Sequence, residues 1–279
     1  MSDQLKMICP ICGNSLAKKD KSFVCPQKHS FDIARQGYVN LLPVQNKHSL
    51  VPGDAKEMLI ARRQFLNRGY YRPICDDVIG MMKKYSSAEK PVLADIGCGE
   101  GYYTAAFEKD SGAECIGVDI AKDAARMACA RSKSILWTVA TASHLPIESG
   151  SADIVTAVFS LYMNDEYARI LRNGGIVIEV TAGSEHLKEL KAMIYDEVFE
   201  QHKCPSPHGP QFEEIAKLDR NFQIGLEKEE MKELLMMTPH AYRMKKERME
   251  ILDSTESCQL TVNYIIRVLR KNEKRKNDE

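Results

Sequence analysis

One stretch constrains the fold of this chain more than any other: Val92-Leu-Ala-Asp-Ile-Gly-Cys-Gly-Glu-Gly101. An apolar run carrying Asp95 leads into glycines at 97, 99 and 101, the pattern of a buried strand that turns tightly into a helix. Glycine lets the backbone take the turn and leaves space for a ligand where a Cβ would clash. A dinucleotide loop wants Gly-x-Gly-x-x-Gly, with the helix N-terminus facing a pyrophosphate. Here the third glycine comes one residue early and Tyr102 stands in the expected place, so that spacing is excluded. Asp95 would also set a negative charge near any phosphate, and suits a ligand with a cationic amine.

The segments around this loop alternate between strand and helix. Helical spacing predicts helices over Ala55–Asn67, with Asp54 as a candidate cap, and Pro73–Tyr85. Strands are expected at Val92–Ile96, Glu114–Asp119, Ile135–Ala140, Asp153–Phe159 and Ile176–Val180. Helices are expected at Tyr102–Lys109, Asp123–Arg131, a stretch ending at Tyr167–Leu171 before Asn173-Gly174-Gly175, Glu185–Phe199 and Leu226–Met236. Ile33–Asp54 reads as an extended surface connection and Lys203–Gly225 as an irregular loop or insert. Thr261–Leu269 reads as a late antiparallel strand, and Arg270–Glu279 as a frayed charged end. Strands separated by helix-length crossovers predict an α/β fold, a Rossmann-like doubly wound sheet.

A chain of 279 residues can hold one large core and a small satellite. Its formal net charge of zero gives no global attraction to nucleic acid or membrane. No apolar run approaches a membrane span, and the N-terminus lacks the apolar stretch of a signal peptide. Nine cysteines, six of them scattered, fit free thiols in a reducing compartment, hence the cytoplasm.

The other three cysteines form Cys9-Pro-Ile-Cys12 and Cys25-Pro-Gln-Lys-His29. Two ligand pairs about a dozen residues apart, each on a tight turn, are what a tetrahedral zinc ion needs. All four positions are filled by protein, which describes a structural site. A redox Cys-x-x-Cys would not need the second pair. Lys18, Lys19, Lys21, Lys28 and Arg35 crowd this module, either as a solvated surface or as a phosphate-contacting patch. Three units follow: a zinc-ribbon module at 1–42, a linker and helical segment at 43–90, and a larger domain at 91–279.

In an open parallel sheet, ligands bind beyond the carboxyl ends of the strands. The glycine loop is in that place and resembles the cofactor loop of S-adenosylmethionine-dependent methyltransferases. Asp119, at the end of the second strand, is placed to accept hydrogen bonds from a ribose, a role that the glycine loop upstream favours over capping the next helix. Ser160-Leu161-Tyr162 follows the fourth strand, where Tyr162 is either a platform for an acceptor base or simple packing.

The whole pattern resembles the 23S ribosomal RNA guanine-N1 methyltransferases of the tylosin-resistance type. The matching stretches are Cys25–His29, Gly37-Tyr-Val-Asn-Leu-Leu-Pro-Val-Gln45, Pro52-Gly-Asp54, Ala61-Arg-Arg63 with Phe65-Leu66, Asp95–Thr104, His186-Leu-Lys-Glu-Leu-Lys191 and Met237-Thr-Pro239. The resemblance implies zinc on Cys9, Cys12, Cys25 and His29, in a module that helps grip a 23S ribosomal RNA hairpin. It implies S-adenosylmethionine held by Tyr71, Gly99, Glu100 and His186, beside Asp95, Gly97 and Asp119 of the loop and second strand, and a homodimer. Where the family tends to show Ala-Pro after the fourth strand, this chain has Ser160-Leu161. A small-molecule methyltransferase with an incidental zinc ribbon, and a non-catalytic RNA-binding protein, are the competing readings.

Overall fold

The computed structural model describes residues 6–43, 53–195, 208–243 and 246–272. At the N-terminus three short strands, β1 (Ala17–Lys19), β2 (Ser22–Val24) and β3 (Ser30–Asp32), form an antiparallel sheet. The chain then reaches β4 (Val39–Asn40), α1 (Lys56–Asn67) and α2 (Arg72–Tyr85). Asp54 does not cap α1. The N-cap is Ala55 without a side-chain bond, and the Asp54 carboxylate instead accepts from Arg62.

The alternating region follows as β5 (Val92–Ile96), α3 (Tyr102–Ser111), β6 (Glu114–Asp119), α4 (Lys122–Ala128), β7 (Leu136–Val139), β8 (Ala152–Val158), α5 (Asn164–Ile170) and β9 (Leu171–Ala182). The chain closes with α6 (Lys188–Ile194), β10 (Phe212–Glu227), α7 (Lys228–Met236), a 3-10 turn at Pro239–Arg243, α8 (Lys246–Ser254) and β11 (Ser257–Lys271). The main sheet runs β10-β11-β9-β8-β5-β6-β7-β4. Every neighbouring pair from β9 through to β4 is parallel, and β11 is antiparallel to both β9 and β10. The strand order reverses between β5 and β8, which opens a crevice at their carboxyl ends.

Four expectations are corrected. Ile33–Asp54 is not wholly a surface connection: Tyr38, Val39, Leu41 and Leu42 are buried, and β4 adds itself to the sheet beside β7. Phe212–Gly225, expected as loop, is strand paired with β11, and β10 runs on through Leu226 and Glu227, where the next helix is expected to start. It lies at the sheet edge and carries few apolar residues, so the partner that orders it is far away in sequence. The helix before β9 stops at Ile170, and Asn173-Gly174-Gly175 fall inside β9, where Gly174 takes φ +73° at a shift in register against β8. The expected helix from Glu185 is only α6; its end at Phe199 lies outside the described residues, as do 203–207 of the expected insert and 273–279 of the expected frayed end.

Both faces of the sheet are covered. One carries Phe65 of α1, Ile74 of α2, Phe107 of α3, Ala128 of α4 and Leu234 of α7. The other carries Tyr167 and Ile170 of α5 together with Met7 and Phe23 of the N-terminal module. Backbone bonds join the module to the sheet domain: Ile8 N to Pro146 O (3.0 Å) and Glu148 N to Lys6 O (2.9 Å). The small module therefore borrows core from the larger domain, since burying Met7 and Phe23 is worth about 1.5–3 kcal/mol each.

Candidate functional site

The metal cluster is assembled from two knuckles. Cys9 N–H donates to Asn14 O and Gly13 N–H to Cys9 O, with Gly13 at φ +73°; Cys25 N–H donates to His29 O and Lys28 N–H to Cys25 O, with Lys28 at φ +65°. These tight turns aim Cys9, Cys12, Cys25 and His29 at one point, all four ligand atoms lying within 4.8 Å of one another. Cys12 and Cys25 sulfurs are 3.7 Å apart, and His29 Nδ1 lies 3.4 Å from Cys25 Sγ and 3.5 Å from Cys9 Sγ. A zinc–sulfur bond of about 2.3 Å in a tetrahedron sets neighbouring sulfurs about 3.8 Å apart, with the shorter zinc–nitrogen bond closing the remaining edges slightly. The cluster fits that ion. Around it Lys18, Lys19, Lys21, Lys28 and Arg35 are exposed, and among the described residues none of the five makes an ion pair.

The second site lies at the carboxyl ends of β5, β6 and β8. Gly97, Gly99 and Gly101 all take positive φ (75°, 55° and 86°). A Cβ on Gly101 would meet Trp137 at 2.8 Å and Ala128 at 2.9 Å, so this glycine serves packing of the loop on α4 and β7. A Cβ on Gly97 would meet Ser160 at 2.6 Å. Ser160, one of the two positions departing from the family pattern, donates its hydroxyl to Ile96 O and so closes against the glycine loop from β8.

The carboxylates of the site differ in role. Asp95 is buried, and its two oxygens accept from Thr104 Oγ1 (2.5 Å) and Thr156 Oγ1 (2.7 Å). Burial raises it to about 6, against the opposing pull of the two hydroxyls. Asp119 accepts from Ala121 N–H and from Gly99 N–H, both at 2.8 Å. It thus makes the turn into α4 and also holds the glycine loop; burial raises it, while those two amides lower it. Glu100 is buried and its carboxylate is taken by Arg63 and Arg131. That side chain serves an internal ion pair and leaves only its backbone to a ligand.

Tyr71 and His186 come together although 115 positions separate them (186 − 71). Their rings are 6.4 Å apart, and Phe159 at the end of β8 approaches both, at 6.4 and 5.8 Å. The Tyr71 hydroxyl and His186 Nδ1 are buried without a hydrogen-bond partner, a costly state unless a ligand satisfies them. Burial lowers His186 to about 4, with Lys191 adding to the effect. Phe159, absent from the sequence expectation, combines φ +51° with 41% exposure for a large apolar ring. Such strain in a bulky residue is concentrated at functional sites. Tyr162 packs among Tyr167, His208 and Phe212. A separate cavity of about 650 Å³, lined by Lys6, Lys90, Asp153 and Arg172 among others, lies at the opposite ends of the strands.

Comparison with known proteins joins the two sites. Residues 7–50 match the zinc-ribbon family described as "RlmA, N-terminal", and residues 94–178 match the family described as "Methyltransferase domain". The Bacillus subtilis protein YxjB, named for 23S rRNA (guanine-N(1)-)-methyltransferase, is 28% identical over 92% of this chain and 94% of its own length. The 23S rRNA (guanine(748)-N(1))-methyltransferase of Streptomyces fradiae is 35% identical over 65% of each chain. A Micromonospora griseorubida protein with the same kind of name is 28% identical over 94% of this chain and 95% of its own. The chain is thus similar over nearly its whole length to proteins named as 23S rRNA (guanine-N1)-methyltransferases, and it carries a zinc-ribbon and a methyltransferase domain.

The residues present fit S-adenosylmethionine: a turn of positive-φ glycines at the switch point, a carboxylate at the end of β6 bonded to that turn, and two buried polar atoms without partners beside Phe159. Gly99 is bonded to Asp119, Gly97 faces Ser160, and Phe159, next to Ser160, packs on Tyr71 and His186, so these residues gather at the carboxyl ends of β5, β6 and β8. Asp95 stands behind the loop, and Glu100 turns its side chain away from the crevice.

Proposed function

We propose that this protein transfers a methyl group from S-adenosylmethionine to N1 of a guanine in a hairpin loop of 23S ribosomal RNA, working as a cytoplasmic homodimer. The observation that carries the reading is the pairing, in one chain, of a Cys3His ribbon with an exposed basic face and a glycine-loop crevice at a sheet switch point. Relatives matched over nearly their whole length carry that activity in their names. No helix among the described residues is long and apolar enough to cross a membrane.

In this reading Tyr71, Gly97, Gly99, Asp119 and His186 hold the cofactor, with Asp95 supporting the loop and Glu100 contributing through its backbone. The cofactor supplies an electrophilic methyl group on a sulfonium. The protein's task is then orientation more than activation. His186 is suited to it because its lowered pKa keeps the imidazole neutral at pH 7, where an imidazolium would repel a sulfonium. The aromatic rings of Tyr71 and Phe159 favour a cation nearby. The exposed lysines of the ribbon attract the RNA backbone, and the target base must leave its stack to reach the crevice.

The test is to incubate the purified protein with methyl-labelled S-adenosylmethionine and either 23S rRNA from an unmodified strain or a metabolite extract. Label in one guanine of the RNA supports the reading. Label in a small molecule alone would replace it with the small-molecule alternative.

A further inference from the structure

Arg62 of α1 lies over the second glycine of the loop. Its Nη1 donates to Asp54 Oδ2 (2.5 Å) and its Nη2 to Met237 O (3.1 Å), while a Cβ built on Gly99 would stand 3.4 Å from Nη1. Any ligand group that approaches Gly99 therefore meets a guanidinium. The other two arginines near the loop, Arg63 and Arg131, are committed to Glu100. A guanidinium has five N–H donors; these two bonds leave three, and a quarter of the Arg62 side chain is exposed. Gly99, under the guanidinium, donates its N–H to Asp119 at 2.8 Å, so Arg62 has one acid bonded to it, Asp54, and a second on the far side of the same glycine.

That arrangement selects among ligands. A phosphate would gain one cation and face two carboxylates. A zwitterionic amino acid suits it, with its carboxylate on the guanidinium and its ammonium toward the acids. We propose that Arg62 binds the α-carboxylate of the cofactor's methionine moiety, and so makes the site selective for the intact amino-acid end. This rests on the cofactor reading above.

The test compares binding of S-adenosylmethionine with its decarboxylated analogue by calorimetry on the full chain. A charge-assisted bond pair predicts about 30-fold preference for the carboxylated form. Arg62→Lys, which keeps the charge and loses the fork, should retain only a few-fold preference, and Arg62→Met should bind both about equally. Each ratio is measured on one preparation, so a change in folded fraction cancels. Equal binding by the unaltered protein, or a full preference surviving in Arg62→Met, overturns the inference and leaves the cofactor reading standing. Binding of neither probe by the unaltered protein overturns both.

Discussion

Asp95, buried behind the glycine loop, and His186, packed beside Tyr71 and Phe159, have opposite protonation habits. The Asp95 pKa is raised from 3.8 to about 6 in the fold, so the folded state holds more protons than the unfolded one between those values. Its contribution is present below about pH 4 and is lost as pH rises through about 6, amounting to about 3 kcal/mol. The His186 pKa is lowered from 6.5 to about 4, so its contribution is present above about 6.5 and is lost as pH falls toward 4. The two slopes oppose each other and flatten the stability profile. Asp95→Asn removes one of them: thermal melts should show stability climbing between pH 4 and 6.5, and at pH 7.5 a variant at least as stable as the parent but weaker in cofactor binding. A profile indistinguishable from the parent would contradict the assignment. Asp95 is legible in the sequence as a member of the loop, yet its burial behind Thr104 and Thr156 is not, because Thr156 comes from a strand 61 residues away. Glu100 is a similar case, its partners Arg63 and Arg131 lying on either side of it in sequence and meeting only in the fold.

Among the elements, the strand–turn–helix units are readable because their periodicity is local, and β5, β6, β8 and the late strand fall where the pattern places them. The β10 edge strand is not, since its hydrogen bonds to β11 are long-range and its side chains are mostly solvated. That hairpin has a task at the site. The turn carrying His186 is tied to β11 through Gly183 N–H to Asn263 O (2.9 Å), Glu185 N–H to Asn263 Oδ1 (3.1 Å) and Leu187 N–H to Thr261 O (2.7 Å). Asn263→Ala should therefore lower cofactor affinity about tenfold by calorimetry with the fold retained, as expected for removing a buried anchor; unchanged affinity would free the His186 turn from β11. The zinc module gives a second prediction. Because Met7 and Phe23 share a core with Leu145, Ile147 and Tyr167, stripping the metal with a chelator should lower the melting temperature of the whole protein in one transition. A sheet domain that melts at its original temperature after metal removal would show that the module folds apart.

The whole molecule places a metal-stapled basic ribbon on one face of the sheet and a ligand crevice at the carboxyl ends of its strands. Composition could not show this: the formal charge is zero, and the lysines become a patch only because the two knuckles fold them onto one small module. Charge reversal of Lys18, Lys19 and Lys28 should weaken binding to 23S rRNA and make it less salt-dependent, the logarithmic slope falling by roughly 0.7–0.9 for each phosphate no longer neutralised. A slope that does not move would return those lysines to mere solvation. The cysteine pairs and the glycine loop are each legible alone, and their union in one chain carries the acceptor as well as the donor. The crevice residues Phe159 and Arg62 escape a linear reading because a strained φ and a position over Gly99 are visible only in three dimensions. Whether ribbon and crevice serve one reaction is decided by mapping the methylated nucleotide in 23S rRNA after incubation with S-adenosylmethionine. One N1-methylguanosine is expected, in a hairpin loop, and it should vanish when Gly99→Arg blocks the crevice. Methylation at another base or another ring atom, or a product that persists in that variant, would refute the shared reaction.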